Sequence, residues 1–217
     1  MTTENPLFLY GSQNFGYDTV ESDKDWVEII IPDWDAILNN KMVSESKTNL
    51  DNSITKLRDI RFQSKLWING HFNELQILFS KEMYNSEKLR WFIDNRQRIV
   101  KCDLWTLYNT NKRSVEEQLN KLNPKTLTRA YVFQQLLRSL LTNDFEFKIK
   151  VGMARSYRTF AESAPKSDIK KSANAIKHNI ESLENDFYAF KDKVDIKTIE
   201  EVKSEVKRII LDNLRNQ

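Results

Sequence analysis

Two pairs of residues near the start of the chain have types and spacing that could do phosphate chemistry. Gly11 and Ser12 follow a short apolar run, and Asp23 and Asp25 stand two residues apart just before a second one. Gly11 has no side chain to block a phosphate, and the Ser12 hydroxyl and the backbone N–H groups after it could donate to phosphate oxygens. Side chains two apart on a strand point to the same face, so both carboxylates could bind the same cations. Paired aspartates opposite a phosphate cradle suit two-metal phosphoryl or nucleotidyl transfer.

The elements that must position these residues are visible as two apolar runs. Leu7–Tyr10 and the β-branched, aromatic run Trp26–Ile31, which ends at Pro32, both predict strands. The ten residues between Ser12 and Asp23 are expected to form a turn and a helix. The first strand would then deliver the phosphate cradle, and the second would begin at the carboxylates.

The sequence after the second strand contains weaker signals. Residues 33–39 predict a short helix with Asp33 as its N-cap, and a polar loop is expected from Asn39 to Asn52. Ile54–Arg58 predicts a third strand. A helix is expected to begin at Asp59, whose side chain is a plausible cap.

Beyond Ser86 the apolar residues recur at spacings of three and four, which predicts helices. Five segments show this pattern: Ser86–Val100, Ser114–Leu122, Lys125–Thr142, Ser167–Lys191 and Thr198–Leu214. The broad apolar stripe of the third segment is typical of the central helix of a bundle. We therefore expect an α+β fold, with a small mixed sheet in residues 1–85 followed by a C-terminal helical domain over residues 86–217.

The composition excludes several other classes of protein. Only 4 Gly and 4 Pro in 217 residues disfavour a turn-dense β-sandwich or barrel. Cys102, the single cysteine, cannot form an internal disulfide, and with His71 and His178 it is too little for a zinc site. No apolar run approaches the roughly 18–20 residues that span a bilayer. The N-terminus also lacks the layout of a signal peptide, so the sequence predicts a cytoplasmic protein with no membrane partner.

Charge is distributed unevenly along the chain. Residues 1–59 hold 11 acidic and 5 basic side chains, whereas residues 121–158 hold 8 Lys+Arg and only 2 acidic residues. Lys125 and Arg129 are four apart on the predicted central helix, so they would project from one side and could meet a triphosphate opposite Ser12. The alternative for this pair is a solvated helix face.

The spacing of these motifs is similar to that of a known superfamily. Gly-Ser, ten residues and then Asp-x-Asp, at residues 11–25, resembles the signature of the DNA polymerase β-like nucleotidyltransferases. The longer motif Gly-Ser-Gln-Asn-x-Gly at 11–16, followed by Ser22-Asp23-x-Asp25, is similar to the predicted nucleotidyltransferases of bacteriophages and bacteria. Weaker similarity continues through three later segments, at residues 58–61, 74–79 and 125–131.

The resemblance implies a sheet of the nucleotidyltransferase type and a role for each motif. Asp23 and Asp25 would bind two Mg²⁺ (or Mn²⁺) ions, and Gly11 and Ser12 would seat a nucleoside triphosphate. A nucleoside monophosphate would pass to a hydroxyl of an acceptor, which the sequence leaves open between an RNA end, a protein and a small molecule.

One position departs from the superfamily pattern. The resemblance implies a third carboxylate from a later strand, and Lys56 stands where it is expected. Asp51 and Asp59 are the nearest substitutes, although the first lies in a predicted loop and the second is more simply a helix cap. A Lys56 ammonium could instead take over part of a metal ion's charge role. Two hypotheses follow: an active nucleotidyltransferase, or a catalytically impaired relative that acts as a nucleotide-binding or inhibitory module.

Overall fold

The computed structural model describes residues 4–20, 22–51, 53–142 and 151–217, and over these ranges the chain is an α+β protein. Its strands are β1 (Leu7–Tyr10), β2 (Asp25–Ile30), β3 (Ser44–Thr48), β4 (Ile54–Asp59) and β5 (Met83–Tyr84). They form one mixed sheet in the order β3-β4-β2-β1-β5, in which β2 and β4 are parallel and the other neighbours antiparallel. The ends of β1 and β3 and the starts of β2 and β4 therefore meet at one edge, which we call the Asp25 edge.

Helices occupy most of the remaining described chain. Those between the strands are α1 (Ser12–Phe15), α2 (Trp34–Leu38), α3 (Ile60–Ile68) and α4 (Phe72–Leu75), with a 3₁₀ helix at Gln76–Phe79. A second 3₁₀ helix, Ser86–Leu89, follows β5. After it come α5 (Arg90–Asp94), α6 (Arg96–Lys101), α7 (Leu104–Lys121), α8 (Pro124–Ser139), α9 (Val151–Ser163), α10 (Lys166–Ser182), α11 (Glu184–Tyr188) and α12 (Ile196–Arg215).

The predicted strands are confirmed, but the predicted loop Asn39–Asn52 is wrong where it contains β3. All five residues of β3 are exposed, so the strand has no apolar face from which a sequence pattern could reveal it. It forms instead by backbone pairing with β4 at the border of the sheet. The second strand begins at Asp25, which leaves Asp23 in the preceding loop.

The predicted helices are confirmed with different boundaries. Lys125–Thr142 corresponds to α8 and Thr198–Leu214 to α12, whereas Ser86–Val100 and Ser167–Lys191 are each divided into shorter helices. The predictions lacked α9, because its Val, Gly, Ser, Thr and aromatic residues are poor helix formers and it depends on packing against α8. Among the helices of the described ranges, none combines the length and apolar character that crossing a membrane requires.

The helix α8 is central to the packing, as its stripe predicted. It lies against α7, α9 and α10, and its Phe133 ring lies 5.8 Å from the Phe15 ring of α1 and 5.3 Å from the Phe72 ring of α4. Asn123 begins the helix with a capping box, and Pro124 occupies its first turn. The Phe133 contacts pack the middle of α8 against α1, the helix that follows β1.

The two faces of the sheet contribute to separate apolar clusters. One face, with Phe8, Val27 and Ile29, packs into a continuous core that extends through the helices as far as α12. The other face contributes a small cluster of Leu7, Leu9 and Trp26. The strands end at Tyr84 and helices follow. The domain boundary between residues 85 and 86 stays a prediction.

Candidate functional site

A polar cavity of about 210 Å³ opens at the Asp25 edge of the sheet. Pockets that enclose a whole small molecule are usually about 300–1,000 Å³, so this volume suits a group such as a phosphate chain, with the rest of a ligand outside. Hydroxyl groups, two carboxylates and two cations surround the space: Ser12, Tyr17, Thr19, Ser22, Asp23, Asp25, Lys125 and Arg158.

Gly11 occupies the turn between β1 and α1, where a side chain would be strained. Its φ of 78° lies in the left-handed region, and a Cβ there would lie 3.2 Å from Oδ2 of Asp25. Its N–H donates to Oε1 of the buried Gln76 at 3.2 Å. The missing side chain of Gly11 therefore admits the Asp25 carboxylate, while its N–H is already used within the protein.

Ser12 begins the short helix α1, which leads into the loop that lines the cavity. The Ser12 hydroxyl side chain lines the cavity, and its carbonyl accepts from the N–H groups of Gly16 and Tyr17 at 2.8 and 3.1 Å. Gln13 then donates to the carbonyl of Ser22 at 3.0 Å. These bonds fold the loop back so that its hydroxyl groups face the carboxylates.

Asp25 is held more firmly than Asp23. It is half-buried at the start of β2, opposite Tyr10 of β1, and its Oδ1 accepts from the N–H of Ile54 at 3.2 Å. Asp23 is exposed and lies outside the strand, so the alternation of strand side chains does not place it. The cavity nevertheless brings both carboxylates to one site.

The two predicted cations of α8 have different roles. Lys125 is exposed and lines the cavity. Arg129 is half-buried, and its Nε donates to the hydroxyl of Tyr17 at 3.0 Å. Burial raises the pKa of Tyr17, against the opposing charge of Arg129, so its O–H proton stays available for donation while its oxygen accepts from Arg129. Arg129 thus orients a cavity-lining residue that the sequence did not single out.

Arg158 of α9 is the other cavity residue that sequence reasoning missed. It lies in the basic segment 121–158, and that charge count was the available signal. Its Nε donates to Glu162 at 2.6 Å, one turn along the helix. For Tyr17 no sequence signal existed, because its role depends on contact with a residue far along the chain.

The carboxylates suit one divalent cation better than two. Among the described residues, no group of three or more His, Cys, Asp or Glu side chains could hold a metal ion. Asp51 accepts from the N–H and hydroxyl of Ser53 at 3.1 and 2.6 Å, and Asp59 is buried against Arg61 at 2.6 Å. Mg²⁺ is commonly bound through one or two carboxylates, waters and substrate phosphates. Asp23 and Asp25 fit that pattern without a third protein carboxylate.

Lys56, at the position expected for the third carboxylate, lies on the face of β4 that continues the site. It is half-buried, and its Nζ lies 4.0 Å from the centroid of the Tyr10 ring. Burial lowers the pKa of Lys56; Arg58 and Arg129 act in the same direction, whereas Glu74 and Asp25 oppose it. The ammonium is therefore part of the charge environment of Asp25.

Comparisons with protein-family models, with curated proteins and with solved structures found no match for this chain. The nucleotidyltransferase resemblance thus stays a prediction from motifs.

Asp59→Ala should lower the free energy of unfolding by about 3 kcal/mol, because it removes the cap of α3 and leaves Arg61 without its buried partner. Urea denaturation measures this loss. The exposed Asp51→Ala is the matched control and should lose less than about 1 kcal/mol. If Asp59→Ala kept its stability but lost metal-dependent nucleotide binding, Asp59 would be a ligand rather than a structural residue.

Proposed function

We propose that the protein binds a nucleoside triphosphate with Mg²⁺ or Mn²⁺ and transfers the nucleoside monophosphate to a hydroxyl of an acceptor. The observation that supports this most is the shared cavity, in which Asp23 and Asp25 face Lys125 and Arg158. Carboxylates alone would suit a bare cation, and cations alone a bare anion. Their combination in one small polar space is complementary to a metal–triphosphate complex, which presents both charges.

Each side chain then has a defined role toward the triphosphate. Ser12 and Tyr17 donate hydrogen bonds to phosphate oxygens, and Lys125 and Arg158 balance the charge of the phosphate chain. Asp23 and Asp25 would hold the divalent cation. Such a cation, when bound, polarises the phosphoryl group and lowers the pKa of a coordinated hydroxyl. The acceptor stays open between an RNA end, a protein and a small molecule.

A second candidate is a nucleotide-binding or inhibitory module that does not catalyse transfer. Lys56 favours it, because a cation occupies the position at which the resemblance implies a third carboxylate. Such a protein would keep metal-dependent triphosphate binding and lack turnover. The two functions therefore differ in chemistry and share the binding site.

The two functions are separated by incubating the protein and a cell extract with α-labelled nucleoside triphosphates and Mg²⁺. We expect labelled acceptor, identified by mass spectrometry, together with released pyrophosphate. Heat-treated extract and the variant Asp25→Asn are the controls. Tight metal-dependent binding with no labelled product would support the binding module, and no binding at all would exclude both.

Asp25→Asn should abolish the enhancement of triphosphate binding by Mg²⁺, because an amide is a poorer metal ligand than a carboxylate. The amide oxygen can still accept from Ile54, so the fold should persist. We expect calorimetry to show at least about a tenfold loss of affinity with metal and little change with chelator. The exposed Asp35→Asn serves as control. Equal affinity of natural and Asp25→Asn proteins in Mg²⁺ would contradict the site.

Lys125→Gln and Arg158→Gln should weaken binding of a triphosphate by about tenfold each and that of the monophosphate by less, because the lost contacts are to the outer phosphates. Competition against a fluorescent nucleotide measures both affinities. Lys121→Gln, on the exposed end of α7, should change neither. Equal losses for the two ligands would show that these cations do not contact the phosphate chain.

A further inference from the structure

The side chain of Lys56 crosses the sheet beside the candidate site. Lys56 of β4 pairs in register with Val27 of β2, so both lie on the face that also contains Tyr10. The strand β2 separates β4 from β1, and neighbouring strands are about 4.8 Å apart. The Lys56 Nζ nevertheless lies 4.0 Å from the ring centroid of Tyr10 on β1. The Lys56 side chain therefore extends across β2. It does so on the face of the sheet that carries Asp25, and close to Asp25 itself.

A buried carboxylate approaches the same ring from the helical side. Glu74 of α4 is 9% exposed, and its Oε1 accepts from the Tyr10 hydroxyl at 3.4 Å. Its Oε2 accepts from the side-chain amide of Gln63 at 3.2 Å, in the amide orientation that satisfies both ends of Gln63. In both of these hydrogen bonds Glu74 accepts from a neutral donor, whereas the Lys56 ammonium lies against the ring of the same Tyr10.

Four charged groups act on the Lys56 ammonium. Glu74 and Asp25 attract it, whereas Arg58 and Arg129 repel it. Arg129 is turned toward Tyr17 and Arg58 toward Ser44, each through a hydrogen bond at 3.0 or 3.1 Å. Arg129 also attracts Asp25, whereas Lys56 is attracted by both Asp25 and Glu74. Because Glu74 is buried and Lys56 and Asp25 are half-buried, their interactions are stronger than those between surface charges.

We propose that the Lys56 ammonium is a built-in cation that balances Asp25 and Glu74 and limits the site to one divalent metal ion. The metal part of this inference rests on the proposed function, whereas the charge balance exists in the metal-free protein. A second ion beside Asp25 would meet the repulsion of a fixed positive charge and would lack a third carboxylate. Lys56 is thus a positioning residue for Asp25.

Charge balance is tested by a double-mutant cycle on the metal-free protein. Lys56→Met keeps an unbranched side chain over Tyr10 and removes the charge, and Glu74→Gln removes the opposing one. We expect each single variant to lower Tm by about 5 °C and the double variant to lose clearly less than the sum. Lys47→Met, an exposed lysine on neighbouring β3, is the control and should not couple to Glu74. Strictly additive shifts for Lys56 and Glu74 would overturn the charge balance.

The number of metal ions is tested by electron paramagnetic resonance of Mn²⁺ with an α,β-methylene triphosphate analogue at one molecule per chain. We expect one bound Mn²⁺ in the natural protein and in Lys56→Arg, and two in Lys56→Asp. Two bound ions in the natural protein, or one in Lys56→Asp, would overturn the limit that Lys56 sets.

The two tests fail in different ways. Absence of bound Mn²⁺ in every variant would overturn the proposed function and the one-metal inference together, while the double-mutant cycle would still decide whether Lys56 balances Glu74. Coupling in the cycle together with two metal ions in the natural protein would leave the proposed function and the charge balance intact and would reject the one-metal limit.

Discussion

The close approach of Asp25 to Gly11 is the constraint on which the site depends. A side chain at residue 11 would lie 3.2 Å from the Asp25 carboxylate, and the same carboxylate accepts from the N–H of Ile54. One side chain thus connects the end of β1 with the starts of β2 and β4. The cavity-lining Ser12 follows directly in the chain. The pairing of β1 with β2 and the turn at Gly11 together place the Ser12 hydroxyl beside the Asp25 carboxylate.

The fold brings the acidic and basic parts of the sequence together around one cavity. The carboxylates of the cavity come from the acidic first 59 residues, and its cations, Lys125 and Arg158, come from the basic segment 121–158. The apolar contacts of Phe133 with α1 and α4 bring the two groups together. Burial of aromatic side chains therefore supplies the free energy that holds groups of opposite sign around a polar space. The aromatic contacts that stabilise the fold therefore lie outside the set of residues that line the cavity.

Local signals in the sequence predicted the elements well and the long-range contacts poorly. Apolar, β-branched runs revealed β1, β2 and β4, and the side chains of Asp33 and Asp59 marked two helix starts, because these features act within a few residues. The exposed strand β3 forms through its partner alone, and α9 through packing. The hydrogen bond between Arg129 and Tyr17 joins distant segments, so no spacing rule could find it. The motifs predicted that Asp23 and Asp25 would lie at one site. The argument from alternating strand side chains, however, applies only to Asp25, because Asp23 lies outside β2.

The register of the parallel pairing between β2 and β4 decides which side chains of β4 lie beside the site. Lys56 and Leu57 are neighbours on β4 and point to opposite faces, with Lys56 beside Val27 and Leu57 beside Glu28. A slip of one residue in this pairing would exchange them, placing an aliphatic side chain across Tyr10 and an ammonium in the small cluster of Leu7, Leu9 and Trp26. The register of β4 against β2 therefore decides which side chains of β4 face the site, without a change in any residue that lines the cavity.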